Sequence, residues 1–96
     1  MNNLSREKRM VQPSTNQEFF DALKGLIEGW CERRSLGPLA RVLSPYLSFN
    51  GMTEGWGELA IALKSIRALD GDQISTQERE TVDDLIRATD IAIYSK

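Results

Sequence analysis

Ninety-six residues make one domain with a single core and little to spare. At 41% hydrophobic and 27% charged, the chain is too apolar to be disordered throughout, and no run approaches the ~20 apolar residues that cross a bilayer. The net charge of −2 is uneven, +2 over residues 1–16 and −4 over 17–96, and an acidic body repels phosphate backbones, which disfavours nucleic acid as a partner.

Histidine is absent, which removes the commonest general base, metal ligand and near-neutral switch together. A single cysteine, Cys31, allows no internal disulfide, and with no secretory leader the chain reads as cytoplasmic. No phosphate loop, metal-spaced cluster or nucleophile elbow occurs. The expectation is therefore a protein without catalytic, cofactor or metal residues.

Residues 1–13, MNNLSREKRMVQP, show no apolar period and end in proline, and are expected to be a flexible, disordered tail. Residues 14–96 then form the single helical domain. Helix one is expected to open at Ser14 or Thr15, where Thr15 with Glu18, or Ser14 with Gln17, has capping-box spacing. Phe19, Phe20, Leu23, Leu26, Ile27, Trp30 and Cys31 fall on one face, the heaviest apolar surface in the chain. Ala22, Gly25 and Gly29 line a strip beside it. Each internal glycine costs a helix about 1 kcal/mol, and close approach of a neighbouring helix backbone is the expected offset, with a dimer seam as the second reading. Arg33 and Arg34 suit the negative end of the helix dipole.

Pro38 is expected to open a short second helix with Leu39, Val42 and Leu43 inward, and Pro45 to end or kink it at Ser44. A loop through Asn50-Gly51 follows, in which Tyr46, Phe49, Met52 and Trp56 crowd together. Such aromatics either close the end of a core or anchor a partner. Thr53 is expected to cap helix three, whose residues Trp56, Leu59, Ala60, Leu63 and Ile66 share one stripe while Glu58, Lys64 and Ser65 point away. This helix should stop at Asp70-Gly71 and be the central packing partner.

Ser75 with Glu78 is a second capping box, opening helix four. Val82, Leu85, Ile86, Thr89 and Ile93 form its buried stripe. Its outer face is expected to carry Glu80, Asp83, Asp84, Arg87 and Asp90 around Ile91, with Asp70 and Asp72 extending it. Arg79–Asp83 and Asp83–Arg87 are spaced for weak helical ion pairs. Cys31 beside two arginines, Glu54 with Glu58, and Asp70 with Asp72 have the residue types of reactive or cation-binding groups. Core edges and exposed helix ends collect such residues without function.

Trp30, Arg33 and Arg34, the leucine-rich short helix, then NGMTEGWGELAIALKSIRAL and ISTQE, together resemble small all-helical bacterial immunity proteins of polymorphic and contact-dependent toxin systems. The resemblance spans roughly residues 17–94 and carries no binding residue across. It implies a non-catalytic immunity or antitoxin protein that sequesters a toxin domain.

The fold expectation is all-α, a four-helix antiparallel bundle with a short second helix. The expected partner is another protein, with Glu80, Asp83, Asp84, Arg87 and Asp90 steering it and Ile91, Tyr46 and Phe49 anchoring it. The alternative is a homo-oligomeric structural or adaptor module, a homodimer seamed by the glycine strip or the loop.

Overall fold

The computed structural model describes residues 15–94. The tail expected over residues 1–13 lies outside them. Four α-helices follow one another, α1 (Asn16–Arg33), α2 (Leu36–Leu47), α3 (Thr53–Leu69) and α4 (Thr76–Tyr94), with one 3-10 turn, Gly71–Gln73, between the last two. Each runs antiparallel to the next, and α3 packs most extensively, against both α2 and α4. The fold is the expected all-α bundle with a short second helix.

The interior is the apolar stripe of each helix turned to a common centre. Leu23, Trp30, Val42, Leu59, Leu63, Ile66, Val82 and Leu85 are essentially inaccessible. Thr89 is buried with them, its hydroxyl donating to the Ile86 carbonyl at 2.7 Å, so the polar atom is satisfied. Cys31 departs from expectation and is exposed. It lies at the margin of the stripe in the last two turns of α1, beyond the cover of the neighbouring helices.

α1 begins as read, with Thr15 Oγ1 accepting from the Glu18 amide at 3.1 Å. It ends in a Schellman turn with Arg34 in the left-handed region at φ 59°, where the Arg34 amide donates to Cys31 O and the Ser35 amide to Trp30 O. The chain is thereby released directly into α2, which starts at Leu36 rather than Pro38. Pro38 falls in the first turn, where amides have no intrahelical partner and its missing one costs nothing.

Pro45 does not end α2. The helix continues to Leu47, with the Ser48 amide and hydroxyl both donating to Ser44 O. Tyr46 in this last turn packs on Phe20, ring centroids 6.3 Å apart, a tertiary contact that local preference leaves out.

The cap position of α3 falls on Met52, not Thr53, and Asn50 Oδ1 accepts the Met52 amide at 3.1 Å as the chain turns in. α3 stops at Leu69, with Asp70 past its end. The glycine strip of α1 also departs from expectation. A Cβ on Gly25 would touch nothing within 4 Å, and one on Gly29 would meet only the ends of Arg33 and Glu78 at 3.7 Å. No helix backbone comes close there. The strip borders an open groove shared with Gln77 and Thr81 of α4.

Candidate protein interface

The capping box of α4 forms in both directions, Ser75 N donating to Glu78 Oε1 at 2.9 Å and Glu78 N to Ser75 Oγ at 3.1 Å. The same carboxylate also accepts the indole N–H of buried Trp30 at 3.1 Å and both terminal nitrogens of Arg33, at 2.7 and 2.9 Å. Burial pushes the Glu78 carboxyl up. The hydrogen bonds from Arg33, Ser75 and Trp30, with the charge of Arg33, outweigh this and hold it below its ordinary value. Arg33 is raised in turn, chiefly by its hydrogen bond to Glu78. All of this chemistry is spent on joining the end of α1 to the start of α4.

Asp70 likewise turns inward. It is buried, and its Oδ2 accepts from Arg41 Nε at 2.7 Å. It belongs to the α2–α3 junction and not to an acidic surface. Gln73 beside it accepts the Gly37 amide at 3.1 Å.

The residues expected on the outer face of α4 do not form one acidic surface. Asp83 faces α3 and pairs with Arg67 at 2.7 Å, and Asp90 pairs with Lys64 of the same helix at 3.3 Å. Asp84 is buried and bonded to Arg87. The i,i+4 pairs expected for Asp83 are displaced by these longer-range contacts. Glu80 and Ile91 are exposed. Cations on α3 thus neutralise half of the charge read from the periodicity of α4 alone.

Tyr46 and Phe49 are half-buried. Phe49 stacks 4.8 Å from both Phe20 and Trp56, and Trp56 meets Phe19 edge-on at 5.1 Å. These five rings close one end of the core, which is the lid alternative for this loop. A Cβ on Gly55 would lie 3.0 Å from the Phe49 ring, so the absence of a side chain there lets the lid seat.

The surface that stands open is elsewhere. α2 carries one charged residue, Arg41, and that is engaged by Asp70. On an outer side of α2, Leu36, Ala40 and Leu47 are exposed within about 40° of one another and Ser44 borders them, while Leu43 beside them is half-buried against the core as expected. Across a groove of about 700 Å³, lined by Ala40, Ser44, Pro45, Glu58 and Ser65, stands Ile61 of α3. Leu69 lies on the same side of α3 as Glu58 and Ala62 by helical spacing. Leu36, Leu47, Ile61 and Leu69 are 68%, 76%, 68% and 64% exposed, against an ordinary expectation that large apolar residues on a surface are scattered singly. The sequence holds a signal for this face, since LGPLARVLSPYL carries a single charged residue, Arg41.

Among the described residues no group of three potential ligands could hold a metal ion, and no helix is long and apolar enough to cross a membrane. Compared with family models, curated proteins and solved structures, the chain matches none of them.

Proposed function

We propose that this chain is a non-catalytic protein-binding module and that it binds through the apolar face of α2 and α3. The observation supporting this is the set of four large exposed side chains, Leu36, Leu47, Ile61 and Leu69, on two adjacent helices, with Ile61 lining the groove between them. Large apolar side chains interspersed with polar and charged ones, here Arg41 and Glu58 in the groove, are the usual composition of a protein interface. The polar clusters that could do chemistry are occupied in holding helices together. Glu78 and Asp70 are each held by an arginine.

The toxin-sequestering role implied by the resemblance to immunity proteins is the specific form of this reading that we favour. In it the apolar face covers a toxin domain, while Glu80 and the partly paired carboxylates of α4 attract a basic one from a distance. The test is co-expression with the product of the reading frame adjoining its own. That product should arrest growth alone and form a complex with this chain by titration calorimetry. Ile61→Lys and Leu69→Glu should weaken the complex at least tenfold, and Asp83→Asn much less. Growth arrest that this chain does not relieve removes the toxin reading, and a complex indifferent to Ile61 and Leu69 removes the face.

A further inference from the structure

We propose that the groove between α1 and α4 seats the chain's own residues 1–14, with Arg6 over Glu80 and Arg9 over Asp84. The inference rests on α1 and α4 and is independent of the α2–α3 face. It replaces the free tail expected from the sequence by one held on the bundle.

α1 and α4 are clasped where Trp30 and Arg33 reach Glu78. Beyond that clasp, toward the start of α1, a groove of about 340 Å³ lies between them. Ala22, Gly25 and Leu26 line one side, Gln77 and Thr81 the other, so its α1 wall is low. Asp84 continues the row of Gln77 and Thr81 by helical spacing, and is only 4% exposed. A carboxylate so deeply covered is stabilised by each cation brought over it.

Charge names the occupant. Glu18, Asp21, Glu28 and Glu32 lie within about 60° of Gly25 around α1, and Glu80 within about 40° of Asp84 around α4. Arg33 and Arg87 beside them are bonded to Glu78 and Asp84. Residues 1–14 hold Arg6, Lys8 and Arg9 against Glu7, whereas residues 17–96 carry −4. A basic stretch thus adjoins an acidic groove, and a tether this short keeps its effective concentration high.

The reach is sufficient. Thr15, the first described residue, has extended backbone at φ −136° and ψ 161°. Trp30 and Glu78 are level and the two helices antiparallel, so Asp84 stands about 13 Å along the bundle from Thr15, and Glu80 about 20 Å. Arg9 is six residues from Thr15 and Arg6 nine, spans of up to about 20 and 30 Å. Each cation therefore has length left to cross from α1 to α4.

The test is nuclear magnetic resonance of the full chain in a Cys31→Ser background, with a nitroxide attached through Ser5→Cys. At low salt the amides of Gln77, Glu80 and Thr81 should lose most of their intensity, and those of Ile61 and Ser65 should keep it. The loss should vanish at ~1 M salt, where the screening length is about 3 Å. Glu80→Arg should also abolish it, and Glu80→Arg with Arg6→Glu should bring it back. Intensity lost evenly over the surface, or at Ile61 instead, would overturn the proposal, as would a loss indifferent to Glu80→Arg. Isotope-labelled chain mixed with unlabelled, nitroxide-bearing chain should show no loss. A loss in that mixture would assign the groove to the basic segment of a second copy and overturn the proposal equally.

Discussion

Trp30 and Glu78 lie 48 residues apart in the chain, and the indole of one donates to the carboxylate of the other at 3.1 Å. The acid that caps α4 thereby also satisfies the one polar atom of the largest fully buried side chain. Glu78→Gln should lose about 1.5–3 kcal/mol, the range for hydrogen bonds to a charged group. In a domain of this size that is a melting temperature lower by roughly 4–8 °C per kcal/mol, measurable by circular dichroism.

The acid limb of stability should carry the signature of the same carboxylate. Its native pKa is lowered, so the stability it contributes is present above its unfolded value and disappears as pH falls through the native one. The wild type should therefore weaken as pH falls through and below the ordinary glutamate range, and the gap to Glu78→Gln should narrow as it does. A gap of constant size across that window would mean that the charge on Glu78 contributes nothing.

Two glycines should respond to alanine in opposite directions. Gly25→Ala gains helix propensity in open space and should stabilise by about 1 kcal/mol. At Gly37 the new Cβ would lie 2.7 Å from Asp70 Oδ1 and 2.8 Å from Gln73 Nε2. Buried Asp70 is held by Arg41 and cannot give way cheaply, so Gly37→Ala should destabilise by about 1–2 kcal/mol. Urea unfolding of the two variants side by side decides both.

Arg34 occupies a conformation that costs a side-chain-bearing residue about 1 kcal/mol. Arg34→Gly should recover roughly that amount by relieving the Schellman turn. Unchanged stability would show that the larger entropy of the unfolded glycine cancels the relief.

Phe49→Ala should cost about 2–3 kcal/mol, less than a fully buried phenylalanine because the ring is half-exposed. The near-ultraviolet signal of Trp56 should change with it, since the two rings stack edge-on at 4.8 Å. A silent tryptophan would place the loop away from the core.

The parts of this fold legible in the sequence are those fixed within one helix. The stripe from Trp56 to Ile66 and the reciprocal cap of Ser75 and Glu78 depend only on periodicity and local hydrogen bonding, and both occur as read. What the chain does not display is which cation stands opposite. Asp83 and Asp90 read as solvated from α4 alone, yet Arg67 and Lys64 are brought to them by α3. Proline rules likewise weigh only a local cost, and at Pro45 they leave out tertiary contacts such as that of Tyr46 on Phe20. The exposed apolar side of α2 is legible as a helix with a single charge, Arg41, although periodicity alone does not say which of its apolar residues are covered.

Pro45 has one more effect. With no amide hydrogen to offer, it cannot bond the Arg41 carbonyl one turn back, so the final turn of α2 is fastened by one rung fewer than the others. Hydrogen exchange should release the amides of Tyr46 and Leu47 ahead of those in the middle of the helix. Leu47, 76% exposed, is carried on this less tightly fastened turn, so under the proposed binding role its side chain can adjust to a partner without disturbing the rest of the bundle.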